Sequence, residues 1–440
     1  METILIKAVQ FFASLSLLVL IHEFGHYITA RIFKIRVEKF YIFFNPWFTL
    51  YKRKFGETEY GIGWLPLGGY VSLSGMIDES MNTEQMQQEP QPWEFRTKPA
   101  WQRLIVMLAG ITMNVLFAMF IYSMMLFTWG EKYYHSDDIT YGYVYNESAK
   151  ALGFEDGDKI VAIDGEKIAN INDIRKRLII ADQNREVQIE RAGTEQTITI
   201  ELEKLVAMRE DQSIIDFYDI RLPFDVESIS LPSAEEAGIM PGDRVISVGN
   251  TPVTDFMQGR ELLSQYKGRN ADIDIVRNGC DTLSLSVPIN EEAQMGVMVK
   301  MIEPRTAEYG FFESIPAGIK RGAQELSSYW QQIKMIVNPE TKTYKEVGGF
   351  ISIGSIFPET WNWQSFWSLT AFISIALAIM NLLPIPGLDG GHALFTLWEI
   401  ITRRKPSDKF LEIMQYIGLA LLFLLLIYAN GNDIIKLFTN

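Results

Sequence analysis

Four stretches of the chain stay apolar long enough to leave water: residues 8–30, 104–127, 365–388 and 410–429. Each is close to the roughly 20 residues that an α-helix needs to cross a bilayer core about 30 Å thick, so the pattern predicts four transmembrane helices. The second carries no charge. Between the second and third spans the pattern changes to short alternating runs separated by glycine turns, which predicts water-facing α+β domains. Residues 40–44 and 61–71, rich in aromatics and glycine, read as short strands. Over residues 312–336, Phe312, Ile315, Ile319, Leu326, Trp330, Ile333 and Ile336 recur at mostly helical spacing, predicting an amphipathic helix on the outer membrane face.

The predicted organisation is a first transmembrane helix within 1–30, a loop with a β segment over 31–103 and a second span at 104–128. A water-facing region follows over 135–305, then an amphipathic helix and linker over 306–360, a third span within 361–400 and a fourth at 408–432. The first span resembles a signal peptide in having Lys7 ahead of an apolar core, but no convincing small-x-small cleavage site precedes residue 22. It is therefore expected to be retained. Basic residues set the orientation. Ten of them, from Arg31 to Arg103, separate spans one and two, and Arg403, Arg404, Lys405 and Lys409 separate spans three and four. Both loops, 31–103 and 398–409, are expected on the cytoplasmic side, with both termini and the region between spans two and three outside.

That outer region contains a pattern twice. Ala151-Leu152-Gly153-Phe154-Glu155-Asp156-Gly157-Asp158 matches Glu236-Ala237-Gly238-Ile239-Met240-Pro241-Gly242-Asp243 in its glycines and aspartates, and each copy leads into an alternating hairpin. Gly157 to Gly242 and Arg191 to Arg277 share an offset of about 85 residues, so two whole domains, 135–220 and 221–305, are duplicated. Their signature resembles bacterial PDZ domains in tandem. PDZ domains bind an extended chain terminus as an added strand, and two compact domains outside the membrane serve equally as a steric filter.

The chemistry lies in His22-Glu23-Phe24-Gly25-His26, an H-E-x-x-H motif inside the first span. On a helix the two histidines share a face and can hold zinc, with the glutamate beside them as general base. Ionisable groups at membrane depth are expensive, which favours function over accident. Catalytic zinc usually takes a third protein ligand. Near the cytoplasmic end of span three, the stretch from Asn381 to Gly390 holds Pro384 and Pro386, which break the helix, and Asp389, the candidate third ligand. The competing reading makes Asp389-Gly390 ordinary solvent-exposed turn chemistry. His392 fits a helix-flanking or supporting role better than ligation.

H-E-x-x-H in span one, N-x-x-P-x-P-x-L-D-G in span three and a PDZ-like pair between spans two and three together resemble the site-2 protease family of intramembrane zinc metalloproteases, over essentially the whole chain. The resemblance implies one Zn2+ ion on His22, His26 and Asp389, Glu23 as catalytic base, and substrate binding at Asn381, Pro384 and Pro386. It also implies a membrane-dipping β-hairpin within residues 37–75 that offers an edge to the unwound substrate. The implied activity is regulated intramembrane proteolysis of a transmembrane protein already trimmed by another protease, an anti-sigma factor or remnant signal peptides, in a bacterial inner membrane.

A net charge of -14, with no concentrated basic face outside the two loops, argues against a nucleic-acid partner. The one cysteine, Cys280, excludes an intrachain disulfide and is expected to be a buried small apolar residue. The alternative function is a non-enzymatic membrane scaffold whose PDZ pair binds protein termini, but nothing in a scaffold requires Glu23. A zinc transporter would need more polar positions in spans two and four than Asn114, Gln415 and scattered hydroxyls.

Overall fold

The computed structural model describes residues 2–76 and 88–439. The chain divides into two units, Met1–Glu131 with Ala307–Asn440, and Lys132–Thr306. Seven helices of the first unit matter here: α1 (Glu2–Ile32), α2 (Ala100–Trp129), α3 (Phe311–Val337), α4 (Phe350–Ser355), α5 (Trp363–Leu382), α6 (Asp389–Thr402) and α7 (Asp408–Thr439). Among the described residues, four of them are long and apolar enough to cross a membrane: α1, α2, α5 and, over Lys409–Lys436, α7.

Local chemistry sets where these helices stop. At the end of α1, Lys34 adopts a left-handed conformation (φ 57°). Its N–H reaches the Arg31 carbonyl at 3.1 Å, and the next N–H, from Ile35, reaches Ala30 at 2.8 Å. These bonds satisfy carbonyls the helix end would otherwise orphan, and buried Ile35 seals the turn. At the start of α5, Asn362 Oδ1 accepts the Ser365 N–H at 2.8 Å. The expected third span, 361–400, is two helices: α5 stops at Leu382 and α6 begins at Asp389. Pro384 and Pro386 have no N–H for a helical ladder, and Gly387 turns the chain with φ +97°.

The two strands expected after α1 are a four-stranded sheet, β1 (Val37–Phe44), β2 (Tyr51–Phe55), β3 (Thr58–Ile62) and β4 (Leu65–Leu73), in the order β2-β3-β1-β4. One edge, β2, is fully exposed and carries Lys52, Arg53 and Lys54, the usual protection against further pairing. The other edge, β4, contains no charged residue.

The amphipathic stretch is α3, and its small residues pack along α2 while Phe312, Ile315, Ile319 and Trp330 stay exposed. A Cβ on Gly318 would strike Ser123, and one on Gly322 would lie 2.8 Å from the Met119 side chain, so these two glycines permit the close approach. Leu326, Tyr329 and Ile333 then join Tyr122 and Ile375 in one apolar cluster. At the far end of α7, buried Asp433 accepts hydrogen bonds from the Ser352 N–H at 2.9 Å and from the Ser352 hydroxyl. This ties α4 to α7, while Phe350 packs edge-on against Phe11 of α1.

In the second unit each duplicated segment builds its own core, one around Ile160, Val187 and Ile189 and the other around Val245, Ile273 and Ile275. The sheets share one topology. Lys159–Ile163 lies between Glu166–Lys167 and Arg185–Arg191, which pairs with Thr194–Ile200; Arg244–Val248 lies between Thr251–Pro252 and Asn270–Arg277, which pairs with Asp281–Pro288. The repeated landmarks meet each other. Arg191 forks onto Asp158 with two bonds of 2.7 Å, and Arg277 onto Asp243 with two of 2.8 Å. Each arginine also donates to a glycine carbonyl, Gly153 or Gly238. Both aspartates are 1% exposed, and a carboxylate so far from water requires such a partner. Cys280, expected to be buried, is exposed, because it sits in the three-residue turn between Arg277 and Asp281.

Burial works to raise the Asp243 carboxyl, but its bonds to Arg277 and to the Met240 N–H outweigh it, so its pKa lies below the ordinary carboxylate value. A group depressed in the folded state contributes stability that is complete above its unfolded pKa and is lost as pH falls. Hydrogen exchange, corrected for intrinsic rates, should therefore show protection of Asn270–Arg277 declining below about pH 4. In Arg277→Met the sign should reverse, because burial alone favours the neutral acid.

Candidate metal centre

Helix α1 sets His22 and His26 one turn apart with ring centroids 4.9 Å from each other, and α6 opens on Asp389. Asp389 Oδ2 lies 3.0 Å from His22 Nε2 and 3.2 Å from His26 Nε2, and the two nitrogens are 3.2 Å apart. Ligand atoms about 2.0–2.1 Å from a tetrahedral zinc ion stand roughly 3.3–3.4 Å from one another, so the spacing fits.

The protonation pattern fits as well. His26 Nδ1 is 2.8 Å from the Val106 carbonyl, which can only accept, so Nδ1 carries the proton and Nε2 presents a lone pair. Asp389 Oδ2 is buried, and among the described residues the two Nε2 atoms are the only polar groups within its reach. Three such donors converging in apolar surroundings need a proton or a metal cation among them. Among the described residues these three form the one group of histidine, cysteine and carboxylate side chains whose ligand atoms converge in this way.

Close helix approach creates the space. A Cβ on Gly25 would lie 2.8 Å from the Ala109 carbonyl carbon, and one on Gly110 would strike His26 Nε2 and stand 2.7 Å from His22 Cε1. One turn beyond Gly110, fully buried Asn114 places its carboxamide 3.4 Å from His22 Nδ1. Its Oδ1 is otherwise unpartnered, and turning the amide by half a rotation lets that oxygen accept the Nδ1 proton and leaves Nε2 for a metal. The Ser374 hydroxyl holds the Asn114 carbonyl at 2.8 Å, joining α5 to α2. At the other end of α6, Glu399 accepts from Arg103 at 2.6 Å and ties the helix that carries Asp389 to α2.

Beside the three donors is a cavity of about 220 Å³ lined by Glu23, Asn381, His392 and Gln415 among others. Residues 68–71 of β4 line it consecutively; contact through one sheet face would involve alternate residues, so the strand turns its free edge to the cavity. Pro384 and Pro386 are not among the lining residues. The Pro386 carbonyl packs where a Cβ on Gly418 of α7 would be, and Gly387 and Leu388, which follow it in the loop between α5 and α6, line the cavity. The sequence reading missed the orienting position of Asn114 and the clearance at Gly110. Their signal was a lone amide and a glycine four residues apart in a charge-free span.

A family model described as peptidase family M50 matches residues 10–425. The chain is 30% identical to a regulator of sigma E protease from Salmonella typhi, over 99% of this chain and 100% of that protein. It is 29% identical to a protein of Vibrio cholerae named as a zinc metalloprotease, with the same coverage, and 27% identical to one so named from Treponema pallidum, over 99% of this chain and all of that protein.

Asn114→Leu, which leaves His22 Nδ1 without an acceptor, is expected to weaken zinc affinity by about 10–100-fold, as measured by competition with a chromogenic chelator. Gly110→Val, which drives two methyl groups into the imidazoles, should yield folded protein with little metal.

Proposed function

Because the chain belongs to peptidase family M50 and is a zinc-dependent metalloprotease of the membrane, we propose that it hydrolyses peptide bonds within transmembrane segments, at one zinc ion held by His22, His26 and Asp389. The observation that carries this reading is the convergence of those three ligand atoms, all within 4.8 Å of one another, where α1, a helix long enough to span a bilayer, meets the start of α6.

When bound, zinc supplies a Lewis acid that polarises the scissile carbonyl and acidifies the attacking water. Glu23, partly buried at the cavity wall next to His22, is the general base that takes the water proton and returns it to the departing amine. Asn381, at the end of α5, holds the substrate main chain near the scissile bond. The uncharged edge of β4 receives the substrate as an added strand, since a helical segment must become extended before its carbonyl is accessible.

The matching topologies of the two lobes, each with its own core, support a tandem of PDZ-like domains at 135–220 and 221–305. In this reading they act as a size filter, admitting substrates already trimmed by another protease. The excess of basic residues in the loops 31–103 and 398–409 supports placing those loops in the cytoplasm and the termini and PDZ-like pair in the periplasm of an inner membrane. An anti-sigma factor or remnant signal peptides are the substrates of this reading.

Glu23→Gln should retain zinc and lose about a hundred- to ten-thousand-fold in cleavage of a single-span substrate in detergent. Cleavage at the wild-type rate would remove Glu23 as the base, and cleavage that survives complete removal of zinc would remove the metal mechanism. Deleting residues 132–306 should let untrimmed substrates be cut as fast as trimmed ones; unchanged discrimination would favour peptide recognition by the pair over filtration.

A further inference from the structure

Helix α7 is the least enclosed of the four candidate spans, with 11% of its apolar window buried, yet besides Asp433 it turns the polar side chain of Gln415 inward. Gln415 is 6% exposed and lines the cavity that holds His22, Glu23 and Asp389. Its carboxamide makes no hydrogen bond to another described residue and reaches the cavity rather than being sealed in the packing. A primary amide has two donors and an acceptor carrying two lone pairs, and leaving them unmet inside a membrane protein costs stability that an apolar residue would not forfeit.

The backbone aims this side chain. One turn after Gln415, Gly418 sits so close to the loop between α5 and α6 that a Cβ there would overlap the Pro386 carbonyl, and Gly387 stands 3.5 Å from the Leu419 nitrogen when given a Cβ of its own. That contact fixes the rotation of α7 and directs Gln415 toward the metal donors. Asn381, from α5, lines the same cavity and likewise makes no side-chain hydrogen bond to a described residue. Consecutive residues 68–71 line it from the open edge of β4. A strand added to β4 satisfies only the groups on its inner edge, and the outward-facing N–H and C=O groups then need partners of their own.

We propose that Gln415 is a substrate-binding residue: its carboxamide pairs with main-chain groups on the outer edge of the extended substrate segment that β4 holds on the other side. Asn381 and Gln415 thus flank the substrate backbone, and because they contact main chain the site tolerates varied side chains while requiring an unwound segment. The assignment rests on the peptidase reading of this cavity.

The test uses the full-length chain in detergent and a synthetic single-span peptide substrate, together with analogues in which one amide near the scissile bond is replaced by an ester. Gln415→Leu should keep its zinc and lose about ten-fold in kcat/KM through KM, the worth of one or two hydrogen bonds. At one ester position the wild type should lose several-fold and Gln415→Leu should lose nothing further. Gln415→Met, unbranched and closer to glutamine in shape, should repeat the Leu result if the lost bonds are the cause. Wild-type kinetics in both variants, or an ester penalty equal in wild type and variants at every position, would overturn the assignment. Absence of cleavage by zinc-loaded wild type would instead count against the peptidase reading itself, so the two failures are distinguishable.

Discussion

Two imidazole nitrogens and a carboxylate oxygen, mutually about 3 Å apart among apolar helices, form an arrangement held together by a shared proton or by a metal cation, and its spacing is that of zinc ligands. Much of the first unit can be traced to making that convergence possible. Gly25 and Gly110 let α1 and α2 approach until the rings of His22 and His26 lie against bare backbone. The Val106 carbonyl and the Asn114 amide occupy the nitrogens that do not face the site. The break at residues 383–388 ends α5 and starts α6 with its carboxylate at the same depth, and the pairing of Arg103 with Glu399 fastens the other end of that short helix.

The proposed hydrolysis of peptide bonds within a membrane adds a second requirement. A transmembrane substrate satisfies its backbone internally, and opening it exposes groups that hydrocarbon cannot solvate. A site that accepts such a segment must supply replacement partners before the bond can be cut. The uncharged edge of β4 and the amides of Asn381 and Gln415, which bond to no other described residue, surround one cavity and are of the right chemical kind for that exchange. The opposite edge of the same sheet, with Lys52, Arg53 and Lys54 exposed, is closed to it by charge.

The four spans were legible because a run of apolar residues reports its environment without reference to neighbours, and the H-E-x-x-H pattern because both histidines sit on one helix. Asp389 was legible through the prolines that precede it. In the second unit the duplication was visible as glycines, aspartates and arginines at a common offset; the reason for those residues, a buried aspartate paired with an arginine from the neighbouring strand, emerges only once the strands are paired. What the sequence concealed depends on how helices rotate against one another. Gly110 and Asn114 stood out only as a glycine and a lone amide in a charge-free span, and the roles of these two, of Gly318 and of Gln415 emerge only once a packing partner is known. Cys280 was misjudged because residue type was weighed above its position in a tight turn.

The most direct measurement is X-ray absorption at the zinc edge on the purified full-length chain in detergent, compared with Asp389→Asn. The account predicts one zinc per chain coordinated by two imidazoles and oxygen donors, with the ligand shell or the occupancy altered in the variant. A wild-type spectrum without two imidazoles, or one that Asp389→Asn leaves unchanged at full occupancy, would contradict a centre built from His22, His26 and Asp389.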